Sequence, residues 1–195
     1  EILRCLVGSE MCIRDRTTVA YAAVTQSGLS FDRQLWMRPE IIPGLRELTD
    51  AVHKEGAAAG IQLGHCGNMS HKSICGCTPV GASSGFNLYS PTFVRGLRAD
   101  ELPEMARAYG RSVNLAREAG FDAVEIHAGH GYLISQFLSP STNHRKDEYG
   151  GSLQNRMRFM DMVMDEVMKA AGNDMAVLVL SLIHISEPTR HLRIS

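Results

Sequence analysis

Short apolar strand patterns alternate with amphipathic helix patterns along most of this chain, and that alternation dictates a parallel sheet. Each strand–helix–strand unit returns to its own sheet by a right-handed crossover. Residues 17–25 (TTVAYAAVT) are an apolar, β-branched run closed by Gln26-Ser27-Gly28 and read as the first strand. Ile41, Leu45, Leu48 and Val52 then repeat at helical spacing, with Pro39 and Pro43 in the first turn and Gly56 past the end. Residues 57–63 (AAAGIQL) form a second buried strand. Asp100 is expected to cap a helix whose inner face is Leu102, Met105, Tyr109, Val113 and Ala116, ending at Gly120. Residues 122–127 (DAVEIH) are a third strand. Ser152 caps a last helix, with Met160, Val163, Met164 and Val167 along one stripe that reads as core. Residues 175–179 begin a fourth strand.

Two α/β topologies satisfy this order: an open doubly wound sheet, or a slice of a (β/α)8 barrel. The doubly wound nucleotide fold carries a glycine-rich turn between its first strand and helix, and none stands here. Long polar loops, 64–98 and 128–151, follow the second and third strands. Functional loops at strand C-termini suit a barrel. Composition narrows the partners. Twenty basic against 21 acidic side chains in 195 residues leave a formal charge of −1, without pull toward nucleic acid or an anionic membrane. No apolar run approaches the ~18–20 residues of a membrane span. Five cysteines without paired spacing are no disulfide framework. The expectation is a cytoplasmic protein acting on a small molecule; the sequence is silent on oligomeric state.

The two ends read as foreign. A DNA string encoding 180–190 (LSLIHISEPTR) has a reverse complement that, prefixed by TG, translates in another frame as 5–15 (CLVGSEMCIRD). That string resembles the adapter a transposase adds to sequencing libraries. Residues 1–16 and 180–195 are therefore expected to be adapter-derived, leaving 17–179 as the natural segment. A complete barrel needs ~250 residues, so this segment supplies about half of one.

Chemistry concentrates at the end of the third strand, in Glu125-Ile126-His127-Ala128-Gly129-His130-Gly131-Tyr132. Residues three apart in an extended chain face opposite sides, so His127 and His130 converge only where the chain bends, and Gly129 and Gly131 permit the bend. Paired imidazole donors can hold a carbonyl oxygen and stabilise charge developing on it, and a nearby Tyr132 can supply a proton. The bland alternative is two satisfied loop histidines beside a packing tyrosine. Gln62 is a polar residue inside an apolar strand. Its amide suits the polar edge of a heterocycle, or else it is a buried glutamine bonded to backbone. His65, Cys66, His71, Cys75 and Cys77 lie close in sequence, but their spacing matches zinc sites poorly, and no metal is expected. The 145–148 run (RKDE) reads as a solvated loop or local ion pairs.

These residues carry a resemblance. The run 127–140 (HAGHGYLISQFLSP), continuing through Asn143, Arg145, 147–152 (DEYGGS) and Asn155-Arg156, resembles the old yellow enzyme family. That family comprises the NADH:flavin oxidoreductases, with a 2,4-dienoyl-CoA reductase-like branch. Residues 60–65 (GIQLGH) and 85–91 (GFNLYSP) are similar to the same group. The resemblance implies a partial FMN-binding (β/α)8 TIM barrel over 17–179, about strands 2 to 5 of the parent. It implies FMN as cofactor, NAD(P)H as reductant, and reduction of an activated alkene, an enone or enoyl thioester. Gln62 resembles the glutamine that bonds the flavin's pyrimidine edge, and the backbone around Tyr21 and Ala22 would lie against the isoalloxazine. His127 and His130 resemble the pair that holds the substrate carbonyl, and Tyr132 the proton donor. Cys66-Gly67-Asn68 departs from the family's Ala-Gly-Arg. The family's first strand, its basic residue near the flavin N1 and its phosphate site are all missing. The chain as it stands is thus expected to bind FMN weakly or not at all, to be inactive and to expose aggregating strand edges. The competing readings are a non-catalytic half-barrel binding module and a zinc protein using the His/Cys cluster.

Overall fold

A computed structural model describes residues 15–88 and 91–182. The expectation of foreign ends therefore falls, apart from residues 15–16 and 180–182, outside the described residues, as does the 89–90 part of the 85–91 motif. In chain order the elements are β1 (Arg16–Ala23), α1 (Ile42–Lys54), β2 (Ala58–Gly64), α2 (Lys72–Cys75), β3 (Val80–Gly81), β4 (Gly85–Asn87) and β5 (Thr92–Gly96). There follow α3 (Leu102–Glu118), β6 (Ala123–His127), α4 (Leu133–Leu138), α5 (Leu153–Ala171) and β7 (Ala176–Leu180). The main sheet runs β1-β2-β6-β7, every pair parallel. Spatial order equals chain order. A doubly wound sheet must reverse direction at a switch point, so sequential addition is the winding of a barrel wall.

The two faces of this wall differ because side chains alternate along each strand. Ile61, Leu63, Val124 and Ile126 turn to the helices and are fully buried there, with Leu102, Tyr109 and Val113 of α3 and Phe159, Val163 and Val167 of α5. Met160 and Met164 pack on the rim of this core, as their stripe requires. The opposite face carries Gln62, Glu125 and His127. Among the described residues no helix is long and apolar enough to cross a membrane.

Two expectations are corrected and a third is refined. Helix α3 is not capped by Asp100. A 3-10 turn over Ala99–Glu101 precedes it, so the Arg98 amide donates to Glu101 Oε2 (2.8 Å), while Asp100 Oδ1 accepts from Arg98 Nε (3.0 Å). The segments 64–98 and 128–151 are not simply polar loops. The first holds α2 and a small sheet ordered β3-β5-β4, whose strands are too short for a period to show. The second holds α4, whose six residues are all buried because it is apolar nearly all round. Third, the 145–148 run does contain a local pair, Arg145 Nη2 to Asp147 Oδ2 at 2.6 Å, but the arginine side chain is only 8% exposed. It also donates to the Ala82 and Leu97 carbonyls, clamping the loop after β6 onto the small sheet. Ser152 does cap α5, accepting from the Asn155 amide.

Tyr109 is fully buried in α3, and among the described residues its hydroxyl has no hydrogen-bond partner. An unsatisfied buried hydroxyl costs about 1–3 kcal/mol. Tyr109→Phe is therefore expected to raise the urea midpoint or leave it unchanged. A lower midpoint would show that the hydroxyl is bonded.

Candidate active site

The site grows from one register. β2 and β6 pair with Gln62 opposite Glu125, and Gln62 Nε2 donates to Glu125 Oε1 at 2.6 Å. Two residues on, Gly64 and His127 lie on the same face. A Cβ at Gly64 would stand 2.7 Å from Tyr21 Cε2 and 3.0 Å from His127 Cβ. Glycine at 64 thus lets the Tyr21 ring from β1 reach His127 on β6 across the intervening strand. Gly64→Ala is expected to push both rings apart, displacing the His127 imidazole resonances; unchanged resonances would show that the contact yields freely.

Beyond β6 the chain turns back, bringing His127 and His130 together as the sequence requires. The bend is made differently from expectation: the left-handed residues are His130 itself (φ 53°) and Gly131 (φ 71°), not Gly129. Gly129 instead sits where a Cβ would approach Leu182 Cγ at 3.3 Å. The Gly129 amide donates to His127 Nδ1 (3.2 Å), which places the His127 proton on Nε2. That proton is shared with His130 Nδ1 at 3.1 Å, leaving the His130 Nε2–H as the outward donor. Burial, and secondarily the neighbouring His130, lower the His127 pKa to about 4, against an opposing pull from Glu125. The His127 ring is therefore a neutral donor near neutral pH.

Tyr132 stacks on His127 with centroids 4.6 Å apart and planes tilted 31°, and lies 5.3 Å from the Tyr21 ring. The two phenols are not equivalent. Tyr21 donates its hydroxyl to the Gly28 carbonyl, and burial raises its pKa. Among the described residues the Tyr132 hydroxyl makes no hydrogen bond, so it is the phenol available to a ligand. The Ala22 side chain is fully buried in the core, so only its backbone can serve the polar face.

Several contributors were missed in the sequence. Glu125 shares the two-residue alternation of His127 and was legible by that signal. The Tyr21 ring, as opposed to its backbone, needed the Gly64 gap to be seen. Gln136, 1% exposed, is the central brace. Its Nε2 donates to the Gly131 and Cys66 carbonyls and to Asn68 Oδ1, and its Oε1 accepts from the Asn68 amide. The departing 66–68 segment is thus turned inward to hold α4. Cys66 lies buried beneath it, its thiol pushed up to about 12 by burial. His65 accepts from the Gly67 amide and pairs with Ser27, while His71 accepts from the Ser73 amide at the start of α2. Among the described residues no group of three His, Cys, Asp or Glu could hold a metal ion.

A parallel barrel wall carries a carboxamide, two imidazoles and a free phenol on one side, toward the C-terminal ends of its strands. The chain belongs to the NADH:flavin oxidoreductase / NADH oxidase family, whose model matches residues 16–191. It is 40% identical over 161 residues to 4,4'-dithiodibutanoate disulfide reductase of Rhodococcus erythropolis, covering 83% of this chain and 40% of that one. It is 41% identical to the NADPH dehydrogenase of Bacillus subtilis, covering 76% of this chain and 44% of the relative. Among solved structures it is similar to morphinone reductase in complex with tetrahydroNAD: TM-score 0.81, 29% identity, covering 85% of this chain and 50% of that chain. It is also similar to the old yellow enzyme homologue from Zymomonas mobilis: TM-score 0.78, 33% identity, covering 84% and 49%. The chain spans about half the length of these relatives, and its fold is a partial (β/α)8 barrel.

Proposed function

We propose that the complete protein is an FMN-dependent NAD(P)H oxidoreductase that reduces activated alkenes, enones or enoyl thioesters. The observation that carries this reading is the His127–His130–Tyr132 cluster standing on the same sheet face as Gln62. The residues fit a flavin by donor chemistry. Gln62 spends one amide hydrogen on Glu125, and among the described residues nothing donates to its Oε1. Its carboxamide therefore keeps a donor and an acceptor for the flavin's pyrimidine edge, beside the backbone of Tyr21 and Ala22.

Bound FMN would supply the hydride, taken from NAD(P)H and passed to the alkene β-carbon. The chain's own residues do the rest. Binding a carbonyl oxygen exchanges the 3.1 Å His127–His130 bond for two N–H donors converging on that oxygen. His127 donates as a neutral imidazole, and the two N–H groups polarise the carbonyl. Tyr132 protonates the α-carbon. The Tyr21 hydroxyl is held by Gly28 and does not compete. Dependence on NAD(P)H and a small-molecule substrate supports a cytoplasmic setting.

Outward primers within codons 17–179 recover the complete gene, and the purified product is assayed with NAD(P)H against cyclohexenone and a crotonyl thioester. Bound FMN and alkene-dependent NAD(P)H oxidation are expected. Retention of FMN with neither alkene reduced would overturn the substrate assignment, and a protein that binds no FMN would overturn the cofactor.

A further inference from the structure

We propose that Cys75 and Cys77 form a reversible dithiol–disulfide pair, with the exposed Cys77 as entry point for a small-molecule disulfide. Three features of the structure point there. Both thiols are free, one buried and one exposed, and their sulfurs lie 3.7 Å apart. The single residue between them, Gly76, takes the left-handed conformation (φ 73°, ψ 0°) at the end of α2. That turn folds the chain back, so two cysteines in sequence positions 75 and 77 present their side chains to one another. Cys77 also lines a cavity of about 620 Å³ with Thr25, Val80, Arg95 and Leu97. A small disulfide has room to reach its sulfur there, whereas Cys75 is only 2% exposed.

The exchange balances without any other redox partner. The Cys77 thiolate attacks one sulfur of the small disulfide, forming a mixed disulfide and expelling the first small thiol. The Cys75 thiolate then attacks Cys77 Sγ and expels the second. Two protein thiols become one disulfide, the small disulfide becomes two thiols, and the two protein protons end on those thiols. The protein bond closes from 3.7 Å to about 2.05 Å. A bridge across one residue with one sulfur exposed belongs to the labile class that small thiols readily reduce. The location gives it consequence. Helix α2 packs against the turn Gln26–Gly28, and the Gly28 carbonyl holds the Tyr21 hydroxyl.

Oxidised glutathione is the probe. The full chain is incubated with it in mildly alkaline buffer, alkylated and digested with trypsin, which puts Cys75 and Cys77 in peptide 73–95 and Cys66 in peptide 55–72. The expected result is a 73–95 peptide lighter by two hydrogens and unalkylated, with Cys66 alkylated as a free thiol, and full reversal by dithiothreitol. Cys75→Ser should hold a stable glutathione adduct at Cys77, and Cys77→Ser should gain none at Cys75. Two alkylated thiols in 73–95, a wild-type adduct that never resolves, or a cross-link between 73–95 and 55–72 would each overturn the proposal.

Discussion

Tyr132→Phe in the complete, FMN-loaded protein will slow alkene reduction by ~10²–10⁴-fold, the usual contribution of a positioned general acid, while NAD(P)H-dependent flavin reduction changes little. The substitution removes one oxygen. The ring that stacks 4.6 Å from His127 stays, so the polar face keeps its shape. The phenol is singled out because Tyr21, its neighbour at 5.3 Å, has its hydroxyl committed to Gly28. Tyr21→Phe should accordingly leave the protonation step nearly intact. Stopped-flow measurement of the two half-reactions separates these effects. Equal slowing of both half-reactions by Tyr132→Phe would assign Tyr132 to cofactor positioning instead. His127→Asn and His130→Asn should each cost ~10²–10³-fold, as loss of one oxyanion donor does.

Stability should fall steeply on mild acidification. Burial lowers the pKa of His65 to about 3 and that of His127 to about 4, from an ordinary value of 6.5. Both rings are neutral in the folded state and take up protons on unfolding below pH 6.5. A group with a depressed folded pKa contributes stability that is whole above its unfolded pKa and is lost as pH falls toward the folded one. The window here is pH 6.5 down to about 3–4. Two protons bound by the unfolded chain alone give a slope of about 2–3 kcal/mol per pH unit near pH 5. Asp122 and Asp147 have carboxyls held below their usual range, the first by His53 against the cost of its burial, the second chiefly by Arg145. Their contribution is lost only below about pH 4. Urea unfolding between pH 7 and pH 4 tests this, and His65→Gln should remove about half the slope near pH 5. An unchanged slope in that variant would show that His65 takes up its proton in the folded state.

How much of this was legible can be argued residue by residue. The barrel wall was, because Ile61, Leu63, Val124 and Ile126 alternate with Gln62 and Glu125, and the periods of α1, α3 and α5 are unbroken. The convergence of His127, His130 and Tyr132 was legible, since the glycines that follow the strand let the chain bend back on its end. The small sheet β3-β5-β4 was not, because its three strands run 2, 5 and 3 residues, shorter than a periodic signal. The α3 start was misjudged because a 3-10 turn precedes the helix and sets the Glu101 carboxylate, not Asp100, on the Arg98 amide.

The sequence by itself determined the alternation, the parallel winding and the chemical types at the strand ends, because these depend on local period and residue identity. Tertiary structure alone decided how those groups are spent. Gln62 donates to Glu125 because strand register sets them opposite. His127 donates a hydrogen bond to His130 because His130 and Gly131 adopt left-handed backbone. Tyr21 is silenced and Tyr132 left free because Gly28, seven residues along from Tyr21, turns back beneath one phenol and not the other. Each is a contact between residues set by packing, and no local pattern encodes it.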